Sequence, residues 1–389
     1  MKKALFILSI IVLMILSACS KKPESSARVE IIDGIENVHN TKTPLHPNKT
    51  ATLELDLEIG GEDEDGNIIL YKPDKFVVDE KENIYISDTW DMIIKVFDKN
   101  GQFKHSIGGK GQGPGEFQNV GYMAILPDGG LLTLDNHAGI TSVFDDHGEF
   151  RKSHKWRNIL SFGSSFVYLT TDSSYLTKET VRGEKSQVFI KEFDFSGKEL
   201  CSYGEFTQSE SKIVSEAGIT MKLILPYTPR SIFAGDQKRQ LLFHCFNNQY
   251  TIDVYDKSGK LIRKIHRTYE PVPFTDEDAE EFYKDFENAP NPMLLKVVKK
   301  IDLPKIKTIA NRMIVDNRGN LWIETNEKKK ENEIDYVAYD VFNRDGYYDS
   351  KIWLDRSPDL FAKGKMYKMV TEEETGLLYL KRYNIIWSE

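Results

Sequence analysis

Between Phe76 and Leu354 the chain writes the same unit five times. Each copy opens on a short apolar run, turns at an acidic or polar cluster, gives two more apolar runs, and turns again at D-x-x-G before a fourth. The clearest is FVVDEKENIYISDTWDMIIKVFDKNGQFKHSI, from Phe76, with its turns marked by Asp79, Asp98 and Gly101. Later copies carry Asp128, Asp145 and Gly148, then Asp172, Asp194 and Gly197, then Asp236, Asp256 and Gly259, and finally Asp316, Asn343 and Gly346. The first and second turns lie 19, 17, 22, 20 and 27 residues apart, and the excess in the last copy sits in the polar run NEKKKENEID.

A four-stranded antiparallel meander of this length cannot cover both its faces alone, so the units must stack. Radial stacking gives an all-β propeller. The segment from Met366 to Trp387 reads as three strands of a sixth copy, MYKMV, LLYL and NIIW, and then the sequence ends. The missing fourth strand is expected from TLELDLEIGGED, Thr52 to Asp63, which resembles the FKHSIGGKGQG stretch of the first copy. The expected fold is therefore a six-bladed β-propeller of four-stranded antiparallel blades, its ring closed by an N-terminal strand so that no sheet edge is left open.

GGKGQGPGEF, Gly108 to Phe117, looks like a phosphate loop. It follows the fourth strand of one unit and enters the first of the next without opening a helix, and Lys110 is followed by Gly111 rather than Ser or Thr. A phosphate cradle needs those features, so the run is expected to be a blade crossing. Together with V-x-D-x-x-x-x-I-Y-I-S-D and V-F-D-x-x-G before it, this run is similar to NHL repeats. The chain from about residue 50 to 389 resembles the six-bladed β-propeller lipoproteins of Gram-negative envelopes. The wider NHL group includes binding scaffolds and a few enzymes, so the resemblance implies fold more firmly than activity.

The N-terminus supplies an address. Lys2 and Lys3 precede the apolar run ALFILSIIVLMIL, too short for a comfortable membrane span and followed by small residues, as in an export signal. It closes on LSAC, which resembles the lipobox of bacterial lipoproteins, and the resemblance implies lipidation at Cys19 after removal of residues 1–18. Acyl chains would then hold a water-soluble domain to the membrane, in the bacterial cell envelope and at the outer membrane. Losing residues 1–18 removes two lysines and no acids, taking the formal charge from -8 to -10. Nucleic-acid binding is excluded on that balance. Residues 19–49, rich in charge, Ser, Asn and Pro, are expected to be a flexible tether, and residues 50–389 a monomeric propeller.

In a propeller, first-to-second and third-to-fourth turns share one face, and second-to-third loops and blade crossings share the other. The first face has tight turns. The second carries the Tyr203 to Pro229 crossing and an insertion from Thr268 to Asn311, between blades four and five, with helix signals over about residues 274–303. There Thr275 caps TDEDAEEFYKDFENAP, Phe282 and Phe286 lie four apart, and MLLKVVKKI suggests a second helix. The expected arrangement is a lid packed by its aromatic stripe onto the disc. Long loops on a rigid scaffold carry binding, which nominates Asp88 and Trp90 in SDTWD and Asp135, Asn136 and His137 in DNHAG as candidate ligand-binding residues on the long-loop face. For the aspartates, loop capping is the competing role.

No local pattern assigns a catalytic residue, a metal ligand or a cofactor, although one ligand per blade leaves room for a divalent metal in the central channel. GEDEDGN, Gly61 to Asn67, lacks the downstream Glu of a calcium loop and is expected to be a solvated turn. Cys201 and Cys245 fall on different blades and are expected to be two small buried hydrophobes. The sequence thus points to an envelope-anchored scaffold that binds a protein, peptide or glycan partner. An NHL-like hydrolase or lyase, with a metal or carboxylate site at the central channel, is the alternative.

Overall fold

The computed structural model describes residues 27–388 apart from 136, 156–164, 170–173, 182–185, 195, 210–211, 217–218, 288–290 and 292. In chain order, a hairpin of β1 (Arg28–Ile32) and β2 (Ile35–Asn40) leads to β3 (Thr50–Gly60). Blade one is β4 (Pro73–Val78), β5 (Ile84–Asp88), β6 (Ile93–Phe97) and β7 (Phe103–Ile107). Blade two is β8 (Tyr122–Ile125), β9 (Leu131–Asp135), β10 (Ile140–Phe144) and β11 (Phe150–Lys155). Blade three is β12 (Ser165–Leu169), β13 (Ser174–Val181), β14 (Ser186–Asp194) and β15 (Glu199–Ser209). A second hairpin, β16 (Lys212–Glu216) and β17 (Ile219–Leu223), precedes blade four, which is β18 (Ser231–Asp236), β19 (Leu241–Phe246), β20 (Thr251–Tyr255) and β21 (Leu261–Arg267). Helices α1 (Asp276–Glu287) and α2 (Met293–Val298) separate it from blade five, β22 (Ala310–Val315), β23 (Leu321–Glu331), β24 (Ile334–Phe342) and β25 (Tyr348–Leu354). Blade six is β26 (Leu360–Ala362), β27 (Lys365–Thr371), β28 (Leu378–Ser388) and, on its outside, β3.

The expected six-bladed all-β ring is therefore present, and the N-terminal strand closes it: β3 runs antiparallel to β28 from Gly60 opposite Tyr379 to Thr50 opposite Ser388. Blade six differs in detail, because LLYL and NIIW form one continuous strand and the short LFA supplies the innermost one. The second strands of blades one and two are buried along their whole length, since neighbouring blades cover both of their faces. Among the described residues the core of the ring accordingly divides into six seams rather than one centre. Tyr85, Ile94, Met123 and Phe144 fill the seam between blades one and two. Leu132 and Tyr175 serve the next, and Leu176, Tyr203 and Leu242 that between three and four. Ile265, Ile323 and Phe342 follow, then Trp322, Ile352, Met366 and Tyr383, and Ile59, Ile84, Tyr367 and Leu380 bring the ring back to its start.

The D-x-x-G turns show why that spacing recurs. Asp98 accepts N–H bonds from Asn100 (2.8 Å) and Gln102 (2.9 Å), while Gly101 adopts φ 80° and donates to the Asp98 carbonyl. Aspartate replaces a missing strand bond, and glycine takes the left-handed position at no steric cost. Asp145, Asp194, Asp256 and Asn343 repeat the arrangement. Asp63 of GEDEDGN builds a turn of the same kind with Asp65 and Asn67. The Gly108–Phe117 run folds on itself: Phe117 donates to the Gly109 carbonyl (2.7 Å) and packs with 1% exposure, so a side chain at Gly108 (φ 78°) would overlap its ring.

The expected tether of residues 19–49 needs correction. Residues 28–40 are not a tether but a hairpin, and β2 adds in parallel to β21, the outer strand of blade four, with Val38 opposite Ile265. Val38 is fully buried, and Asn40 bridges the seam by donating to the carbonyls of His266 and Gly346 and accepting from Tyr348 N–H. An open outer edge gains ladder bonds this way, which composition does not reveal. Among the described residues no helix is long and apolar enough to cross a membrane.

Candidate functional site

The candidate residues occupy two equivalent places. Asp88 ends β5 with no exposed surface; it accepts N–H bonds from Tyr71 (2.9 Å), Lys72 (3.0 Å) and Trp90 (3.3 Å) and pairs with the Lys95 ammonium at 3.0 Å. Burial opposes its ionisation, but Lys95 and the backbone donors win and hold its pKa below the usual carboxylate value. Asp135 ends β9 and accepts from Gln118 (2.6 Å), Asn119 (3.0 Å), His137 (2.9 Å) and Ala138 (2.8 Å). Each aspartate thus latches the incoming blade crossing to its own second-to-third turn. Asn247 and Asn326 serve blades four and five in the same way, Asn247 joining Arg230 N–H to the Ala310 carbonyl and Asn326 holding the Thr308 carbonyl. Trp90 and His137 are exposed, and Asn136 lies outside the described residues. The structure leaves these side chains on two separate blades, and none of the described four lines either cavity discussed below.

The larger cavity, about 990 Å³, lies elsewhere on the long-loop face, at the upper end of the roughly 300–1,000 Å³ usual for small-molecule sites. Its floor is the start of the innermost strands of blades four and five, with Ser231, Ile232 and Phe233 on one side and Arg312 and Met313 on the other. Lys178 of β13 closes one wall, and the Leu225–Thr228 turn after β17 closes another. The roof is α1, which turns Asp278, Glu281, Phe282 and Asp285 toward the space. These residues recur at helical spacing, a signal visible in TDEDAEEFYKDFENAP once the helix is known to cover something.

The lid is anchored, but not by its stripe meeting the disc. Phe282, Tyr283 and Phe286 pack with Val298 of α2 and with Leu223 and Leu225 from the β17 end, so the two insertions hold each other. Thr275 and Asp278 cap α1 reciprocally, Asp278 N–H donating to the threonine hydroxyl and Thr275 N–H to the carboxylate. Asp278 also pairs with Lys307 at 2.6 Å and accepts from Tyr227 hydroxyl; burial opposes its charge, but Lys307 and Thr275 keep its pKa low.

The cavity is charged unevenly. Arg312 is engaged by Glu324 (3.1 Å) and the Pro358 carbonyl. Arg230 donates to the Asn311 carbonyl at 3.2 Å. Lys178 is half-buried over the Phe233 ring at 5.9 Å, and burial, followed by the Arg230 charge, lowers its pKa. A smaller cavity of about 340 Å³ opens on the tight-turn face between blades five and six, walled by Trp322 and Trp387, with Lys49 5.0 Å from the Trp387 ring. Cys201 and Cys245 are unpaired, and burial raises the Cys245 thiol to about 12. Among the described residues no three His, Cys, Asp or Glu side chains form a group that could hold a metal ion.

Fold and cavity together define a six-bladed β-propeller with a lidded cavity on its long-loop face. Residues 72–138 match the model of the family DUF5128, described as a 6-bladed beta-propeller. None of the curated proteins compared with the chain matches it. Among solved structures, a member of the duf4221 family from Bacteroides vulgatus is 14% identical with TM-score 0.51, the alignment covering 87% of this chain and 99% of that one. A Bacteroides fragilis protein described as exported is 12% identical over 90% of this chain and 99% of its own, at TM-score 0.49. A streptogramin B lyase is 10% identical over 86% and 98%, at TM-score 0.39. At these identities the similarity concerns fold alone.

Proposed function

We propose that this protein is a non-catalytic binding protein of the bacterial cell envelope, held to the outer membrane by lipid on Cys19, and that the cavity under α1 takes its ligand. The observation that carries the reading is the cavity itself. It combines aromatic walls with amide, hydroxyl and charged groups, converging under the α1 roof beside the Leu225–Thr228 turn. A rigid ring with its irregular chain gathered on one face is the arrangement in which loops bind. The ligand is a glycan, or a short segment of a protein or peptide, of a size the cavity can enclose.

The test presents the purified protein to an array of oligosaccharides and peptides beside Asn311→Trp, which fills the cavity. Binding that disappears in the filled variant supports the reading. Binding that survives filling moves the site elsewhere and refutes it. For the anchor, Cys19→Ala should shift the protein from the membrane to the soluble envelope fraction, and retention in the membrane overturns lipid attachment.

A further inference from the structure

At its base the cavity holds two cations, Lys178 and Arg230, with no salt-bridge partner among the described residues. Lys178 reaches it from blade three and Arg230 from the crossing into blade four, and after burial the Arg230 charge adds to the cost of charging Lys178. Among the described residues no carboxylate forms a salt bridge with either, although the chain as a whole carries a formal charge of -8. Lys178 in particular gives up water and, among the described residues, lies over the face of Phe233. Lys328 lines the same space without a salt-bridge partner among the described residues.

The roof has the opposite sign. Asp278 is taken up by Lys307, but Glu281 and Asp285 face the cavity with no salt bridge among the described residues. A ligand with acid groups along its whole length would meet repulsion from α1. One with a single acid group at the base, and an uncharged body beneath the helix, satisfies both ends. The body would lie among Tyr227, Phe233 and Phe282 and be met by the amides of Gln208 and Asn311. Apolar faces met by rings and hydroxyls met by amides describe a saccharide better than a fatty chain.

We infer that the cavity binds a singly acidic saccharide, with Lys178 and Arg230 receiving its carboxylate. This rests on the cavity reading above and names its ligand class. Charge-assisted contacts from a guanidinium and an ammonium hold a carboxylate more strongly than a neutral hydroxyl.

The experiment titrates the full-length protein in detergent with cellobiouronic acid, a disaccharide with one glucuronate, and with its neutral parent cellobiose, by calorimetry at low salt. The expected result is at least tenfold tighter binding of the acid. Lys178→Met and Arg230→Met should each abolish most of that preference, and Lys178→Arg should retain it, with unchanged melting temperatures showing that the ring is intact. Equal binding of the two sugars, or a preference that survives Lys178→Met, overturns the charge assignment while leaving a cavity that binds sugar. No binding of either sugar, or binding of a short acidic peptide in their place, overturns the saccharide class. The cavity reading then stands or falls separately on Asn311→Trp in the array.

Discussion

Asp340 shows what a single residue carries in this ring. It lies fully buried on β24, accepts from Tyr250 (2.6 Å) and Tyr348 (2.7 Å) hydroxyls and pairs with Arg267 at 2.6 Å across the seam between blades four and five. Burial and the Asp340 charge push the Tyr250 phenol well up, so it stays a donor. Removing one partner of a buried pair strands the other, so Asp340→Ala should cost about 3–5 kcal/mol, read as a lower denaturant midpoint. Arg267→Met with Asp340→Leu should recover much of that loss. Lys178 carries a different expectation. Its lowered pKa leaves more free amine near neutrality, whereas Glu58 raises that of Lys381, so trinitrobenzenesulfonate at pH 7.5 should label Lys178 ahead of Lys381. Peptide mapping by mass spectrometry checks the order.

Among the elements, the docked β1–β2 hairpin is the one that pH should loosen. His39 of β2 stacks on His266 of β21 with centroids 4.6 Å apart. Burial, then the charges of His39 and Lys264, lowers the His266 pKa, against weaker opposition from Asp253 and Glu30. A histidine whose pKa is lower folded than unfolded favours the neutral ring in the fold. Its docking is intact above about pH 6.5 and weakens as pH falls through that value toward the lower folded one. The melting temperature should therefore fall between pH 7.5 and 5, and His266→Gln should flatten that fall. An unchanged slope would remove His266 as the cause. The hairpin is not legible in the sequence because neither strand of RVEIIDGIENVHN alternates cleanly, and its apolar residues Val29, Ile31 and Ile32 stay exposed even when it is docked.

For the whole molecule, closure is the decisive contact. β3 supplies the outer edge of blade six and puts Ile59 into the seam with blade one, so the first and last strands of the ring depend on each other. Deleting residues 50–60 should open an edge on β28 and expose that seam, giving association into larger species than the intact chain forms. Size-exclusion chromatography with light scattering checks this. A stable, monomeric deletion product would show that the other five seams suffice.

What the sequence determined by itself was the repeat. Asp and Gly at fixed offsets specify turns locally, and alternating apolar runs between them specify strands, so blade number, closing strand and helix positions could all be read in one dimension. The two latching aspartates were also visible, because Asp88 and Asp135 end equivalent strands; that their oxygens face backbone N–H groups of a crossing 16 or 17 residues earlier was not. The cavity belongs wholly to the tertiary structure. Lys178, Arg230, Asn311 and Asp285 lie far apart in the chain and share no spacing rule, and only stacking the blades and folding both insertions onto one face makes them neighbours.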